Sequence, residues 1–274
     1  MYRLLSANFM RLRKEKVFWL AFFFMIALGL FFPAVIKMDE IKTGTIRDIN
    51  GAFGQCAIFI GILMAVFCSF FIGKEYSDGT IRNKIISGKK RTDIYLANFT
   101  VCATAGVILC SVFFLSYLSL GIPLLGFFSI DIKAAVQFLL TVLFLSAAFS
   151  SIYNLIAMLS ANKAVTAAAC VLLAFLFLFL GIQLNQMLTQ PETVTGIAIT
   201  DRGSEYKELP NPKFLDEEER RIVQFAYDVI PGGQVAHCVS LDASNLSALP
   251  VYSILIILST TGAGLFCFRK KDLK

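Results

Sequence analysis

Gly73-Lys-Glu-Tyr-Ser-Asp-Gly-Thr-Ile-Arg-Asn-Lys-Ile-Ile-Ser-Gly-Lys-Lys-Arg-Thr-Asp-Ile-Tyr-Leu-Ala-Asn98 is polar and basic, and long uncharged apolar runs lie on both sides of it. Between Lys74 and Asp93 six cations (Lys74, Arg82, Lys84, Lys89, Lys90, Arg91) stand against Glu75, Asp78 and Asp93. A basic loop this short between two membrane spans stays on the cytoplasmic side, because Lys and Arg near span ends resist translocation. The stretch also has the parts of a short helix. Ser77 or Asp78 can cap it, and Ile81, Ile85 and Ile86 place apolar side chains on roughly one face. Gly88 can stop it, ahead of the basic turn Lys89-Lys90-Arg91. Periodicity alone leaves an ordinary solvated loop as the alternative.

The apolar runs around this loop define the class. The chain has 274 residues, 57% apolar, with 27 Phe, only 16% charged residues and a mean hydropathy of +0.72. A soluble protein of this length carries more charge, so the expected fold is an all-α polytopic membrane protein with six transmembrane helices. Spans are expected at about 17–36, 52–73, 94–122, 134–160, 164–187 and 247–268, in a single membrane domain covering 1–274. Gly121-Ile-Pro123 should end the third span. Span four is rich in small residues (Ser146, Ala147, Ala148, Ser150, Ser151, Ala157), as suits close helix packing in a bilayer. The fifth has Ala164 and Ala167-Ala-Ala169 at one end and Phe175, Phe177 and Phe179 at the other, suggesting helix contact at one depth and lipid at the other.

Three segments lie outside the spans. In residues 1–16, Tyr2, Leu5, Phe9 and Leu12 form a stripe with Arg3, Arg11, Arg13, Lys14 and Lys16 around it. That predicts an interfacial amphipathic helix, with Arg3, Arg11, Arg13 and Lys14 as anchors on anionic membrane lipid. Lys37 to Asp48 is expected as a short polar outer loop. Residues 188–246 carry ten acidic and five basic residues, punctuated by Pro191, Pro210, Pro212, Pro231 and Gly232-Gly233. Asp216 can cap a helix there whose stripe is Ile222, Phe225, Ala226 and Val229, so a small extracytoplasmic helical segment is expected before the last span.

Charge tests this layout. With both termini cytoplasmic, the inner segments hold 16 basic and five acidic residues, and the outer segments nine and 14. That asymmetry obeys the positive-inside rule, and reversing the chain would violate it in every short loop. The net charge of +6 therefore reflects sidedness, and gives no reason to expect a nucleic-acid partner. Several chemistries are disfavoured by simple omissions. The apolar runs contain no Asp, Glu, Lys, Arg or His, which ion-coupled transporters and intramembrane enzymes need. One histidine, His237, beside Cys238, cannot make a zinc site and reads as a surface or interfacial residue. The seven cysteines show no framework spacing and read as small packing residues; only Cys56 and Cys238 could meet near the outer face as a disulfide. No Gly-x-x-x-x-Gly-Lys-Ser/Thr occurs, so the chain has no phosphate loop of its own.

Glu75-Tyr76, Gly79-Thr80-Ile81-Arg82 and Ser87-Gly88-x-x-Arg91, directly after the second span, resemble the cytoplasmic signature of type-2 ABC exporter permeases. In that family the acidic residue ends a span, the Gly-Thr pair opens a coupling helix, and the Arg begins the return to the bilayer. The family often has Lys near the start of the next span, where this chain has Ala97-Asn98. The resemblance implies that 74–93 is a cytoplasmic coupling helix gripped by a separate ABC ATP-binding subunit. The coupling residues would be Glu75, Tyr76, Gly79, Thr80, Arg82, Ile85, Gly88 and Arg91. Glu75 would pin the end of the span, Gly79 and Thr80 would form the turn, and Arg82 would ion-pair or cap. It further implies a second permease chain, ATP and Mg on the partner subunit with no cofactor in this chain, and a bacterial plasma-membrane location. The implied cargo is amphipathic or hydrophobic: a peptide, a lipid-like molecule or a drug. A non-transporting membrane sensor or anchor and an ion-coupled secondary transporter are the alternatives that composition leaves open.

Overall fold

A computed structural model describes residues 1–160, 162–200, 203–242 and 245–271. Asp201, Arg202, Asp272 and Lys274, counted above for their charge, lie outside these ranges. The fold is an all-α polytopic membrane protein, with six helical segments long and apolar enough to cross a bilayer. In chain order the elements are α1 (Tyr2–Lys14), α2 (Lys16–Thr43), a 3-10 turn (Ile49–Gln55), α3 (Cys56–Ser77), α4 (Thr80–Ile86), α5 (Arg91–Leu125), α6 (Ile132–Ser160) and α7 (Lys163–Leu188). Strands β1 (Thr193–Thr200) and β2 (Gly203–Pro210) follow, then α8 (Glu217–Val229), α9 (Pro231–Ser240) and α10 (Leu249–Lys270).

Helices α3 and α6 are the most enclosed, while α2, α7 and α10 turn most of their surface outward. Small residues set the close crossings. A Cβ on Gly61 would stand 3.1 Å from the Phe149 ring, and one on Gly106 would meet Met64 and Ser146. The α6 hydroxyls cost little to bury, because Ser146, Ser150 and Ser151 each donate to a backbone carbonyl of their own helix. Ser151 also accepts from Thr260 of α10 at 2.8 Å.

Several element ends differ from the sequence expectation. Helix α2 continues through Lys37–Thr43, supported by the Lys37–Glu40 pair at 2.9 Å, and stops only at left-handed Gly44. Pro123 does not end α5, which reaches Leu125 and stops at Gly126. A proline so near a terminus forfeits one helical bond only. Burial along α7 follows a face rather than a depth: Thr166, Cys170, Ala174, Gly181 and Leu188 are buried, while Ala164 is exposed. The segment after α7, expected to be helical, opens with an antiparallel hairpin whose register runs from Thr193↔Pro210 to Thr200↔Gly203. The β-branched run of β1 accounts for it.

Helix α8 starts as expected, with a reciprocal Asp216/Glu219 capping box. Its stripe is not packed into the protein: Ile222 and Phe225 are 70% and 61% exposed, and Tyr227 is the buried residue. Pro231 and Gly232-Gly233 are the first turn of α9 rather than a break. A Cβ on Gly232 would lie 1.6 Å from the Phe177 carbonyl oxygen, and one on Gly181 2.2 Å from the Gly232 oxygen. Only glycines allow this approach of α9 to α7. His237 is correspondingly buried, not at the surface, with Nε2 at 2.8 Å from Asp228 and Nδ1 at 2.7 Å from the Asp242 carbonyl. All seven cysteines are free thiols, so Cys56 and Cys238 form no disulfide; burial pushes the Cys238 thiol up to about 12. Protonated and enclosed, it is an inert packing group.

Candidate functional site

The basic loop at 74–93 folds into a compact joint at one end of the bundle. Helix α3 closes with the Asp78 N–H on the Lys74 carbonyl, and Gly79 takes a left-handed φ of 66°. Glycine alone adopts that conformation without strain. Gly79 is itself the N-cap of α4; neither Ser77 nor Asp78 caps it, and the Ser77 hydroxyl instead donates to the Gly73 carbonyl. Thr80 donates back to the Glu75 carbonyl at 3.0 Å, which satisfies a free acceptor in the last turn of α3. At the far end, Gly88 (φ 80°) donates to Ile85 and Lys89 to Lys84, the paired bonds of a Schellman stop.

The three isoleucines of α4 separate. Ile81 is buried and Ile85 packs partly on the core, whereas Ile86 is 75% exposed. Arg82 and Asn83 are exposed on the same short helix. Arg82 was expected to ion-pair or cap; among the described residues it does neither, since Glu75 is engaged by other groups.

Glu75 is 1% exposed. A carboxylate so placed is tolerable only if charged partners and hydrogen bonds replace water. Its Oε1 accepts from Arg11 Nη1 of α1 and Lys84 Nζ of α4, and its Oε2 accepts from Asn98 Nδ2 of α5 at 2.8 Å. The shell closes on itself: Asn8 donates to Asn98 Oδ1 at 2.6 Å and accepts from Lys84 at 3.2 Å. The Arg11 guanidinium also lies 3.7 Å over the Phe71 ring. One acid thus ties α1, α3, α4 and α5 together. Arg11 is therefore turned into the protein and is not the lipid anchor expected, while Arg3, Arg13 and Lys14 remain exposed. The buried stripe of α1 is Leu4, Asn8 and Leu12, because the helix packs on α5. Tyr2 is 84% exposed, and Leu5 and Phe9 are half-buried beside it.

A second set of contacts joins the same end to the last helix. Arg91 Nη1 donates to the carbonyls of Phe268 (3.2 Å), Arg269 (3.1 Å) and Lys271, capping α10. Lys271 donates to the Met158 carbonyl at 3.0 Å and the Tyr76 hydroxyl at 3.3 Å, and Tyr76 donates to the same carbonyl. Burial holds the Lys271 ammonium below the usual lysine range. The ends of α3, α5, α6 and α10 are locked together through Tyr76, Arg91 and Lys271.

Of the residues that build this joint, Asn8, Arg11, Lys84, Asn98 and Lys271 are not among the coupling residues expected from sequence. Asn98 was noted only as the residue standing where the exporters carry Lys, and Asn8 was not singled out. The available signal was a lone amide at i+4 between Leu4 and Leu12, on a stripe otherwise apolar. Among the described residues no group of His, Cys, Asp or Glu is placed to hold a metal ion.

A sequence profile described as ABC-2 family transporter protein matches residues 4–181, from α1 to the α7–α9 contact at Gly181. The chain belongs to the ABC-2 transporter family. No curated protein matches it. ABC-2 membrane proteins are transport components rather than enzymes and work with an ATP-binding subunit. In this ABC-2 protein the α4 joint lies within the matched region, and α8, α9 and α10 lie beyond it.

Proposed function

We propose that this chain is the permease subunit of an ATP-driven transporter, with a separate ATP-binding subunit seated on α4. The observation that carries the reading is the division of labour in α4. Its inner side is fixed to α1, α3 and α5 through Glu75, while Arg82, Asn83 and Ile86 are exposed. A load on that surface reaches three helices through Glu75 and α10 through Arg91. ATP and Mg bind on the partner subunit, whose closure tilts these helices against those of a second permease chain. The α4 end is cytoplasmic by the positive-inside distribution, in the plasma membrane of a bacterial cell. Coupling residues are Glu75, Tyr76, Gly79, Thr80, Arg82, Ile85, Gly88 and Arg91, with Asn8, Arg11, Lys84 and Asn98 holding them in place. The cargo is amphipathic or hydrophobic, since the spans present Phe- and Leu-rich faces without charge.

The test is co-purification with an ATP-binding subunit and assay of ATP hydrolysis in liposomes. The reading predicts a stable complex whose ATPase depends on α4. An isolated chain that moves solute down an ion gradient, with no ATPase attached, would contradict it.

A further inference from the structure

At the end of the bundle opposite α4, two grooves meet on α7, and their chemistry differs. Helices α7 and α9 touch at Gly181 and Gly232. The wedge between them is a cavity of about 380 Å³, closed behind by Ile58 of α3 and lined by Leu178, Ile182, Val235 and Ala236. It carries no charged residue, and its volume is in the lower part of the ~300–1,000 Å³ range of small-molecule sites. Next to it along α7 a groove of about 480 Å³ is lined by Gln183, Lys213 and Glu219 together with the apolar Met187, Phe214 and Leu215. Gln186 lines both. Among the described residues neither Lys213 nor Glu219 has an ion-pair partner; the Glu219 carboxylate spends Oε2 on the Asp216 N–H at 3.3 Å, which leaves Oε1 open. The α9 wall is held rigidly, by the glycine contact and by the His237–Asp228 bond to α8.

We infer that the two grooves form one binding site for a single-chain amphiphile with a zwitterionic headgroup, its tail between α7 and α9 and its head at Lys213 and Glu219. Lipid that merely coats a span meets a uniform apolar face, whereas here a wedge without charge adjoins, at Gln186, a groove that carries Lys213 and Glu219. Lys213 meets the phosphate and Glu219 the amine, and Gln186 bonds the linkage between head and tail. In the orientation proposed above the site opens at the outer leaflet. The inference narrows the cargo class of the proposed transporter and rests on that reading for its use in the cell.

The test uses the full chain in anionic-lipid nanodiscs without any ATPase, and lysophosphatidylcholine carrying a photoreactive group at the end of its acyl chain. Labelling should be saturable, competed by plain lysophosphatidylcholine, and confined to peptides containing Ile58, Leu178–Ile182 and Val235–Ala236. Ala236→Trp fills the wedge and should lower affinity at least about tenfold, the worth of about two buried methylenes. Lys213→Glu, at an exposed position outside the helices, should weaken competition about threefold without disturbing the fold. Unsaturable labelling spread over the outward faces of α2 and α10, or binding indifferent to both substitutions, would overturn the site. Intact labelling in a chain that binds no ATPase would support the site while removing the proposed function; loss of labelling with the ATPase complex intact would do the reverse.

Discussion

Replacing Glu75 with alanine leaves Arg11 and Lys84 facing each other across a space closed to water. Removing one member of a buried ion pair costs far more than the pair is worth, so Glu75→Ala should destabilise the protein by on the order of 3 kcal/mol, read as a lower Tm in detergent. Adding Lys84→Met to that variant should recover part of the loss, because it removes one of the stranded cations; a double variant less stable than Glu75→Ala would contradict the pairing. Backbone geometry makes a second prediction. Gly79→Ala should cost about 1–2 kcal/mol, since its φ is 66°, whereas Gly262→Ala, in an open helical position, should change stability by less than about 1 kcal/mol. At this scale the acid, the two glycines and the basic cluster were legible in the sequence, because charge and turn chemistry act locally. Asn8 and Asn98 were not. Their meaning comes from meeting across 90 residues, and an isolated amide in an apolar stripe reads as an interruption until the facing helix is known.

Among the elements, long apolar helices were readable by length and hydropathy, and their ends were not. Helix α2 overran its apolar run because a local ion pair and a distant glycine set its stop. The β1–β2 hairpin is masked in the sequence by the proline and acidic residues around it, which are also loop chemistry, although the β-branched run of β1 favours strand. Pro231-Gly232-Gly233 misled in the same way, since glycine is both a breaker and the smallest packing residue. The close contact there predicts that Gly232→Ala drives α9 off α7. Backbone amides of α9 should then exchange faster by hydrogen–deuterium exchange, with α2 and α5 unchanged. Unaltered protection in α9 would show that the contact is not what holds it.

For the whole molecule, the arrangement is a bundle whose two ends do different things. One end is a joint in which a single carboxylate and one arginine gather α1, α3, α4, α5 and α10. At the other, α8 and α9 pack on α7, α6 and α10. The ABC-2 match covers the first, and the matched region ends just as the second begins. In the proposed function α4 is the surface that an ATP-binding subunit grips. The direct measurement is cross-linking from single cysteines placed at Ile86 and, as a control at the opposite end, Ile222, each with the ATP-binding subunit present and cycling. Ile86→Cys should cross-link to that subunit in an ATP-dependent way while Ile222→Cys does not. No cross-link from Ile86→Cys in a complex that hydrolyses ATP, or equal yields from both positions, would contradict it.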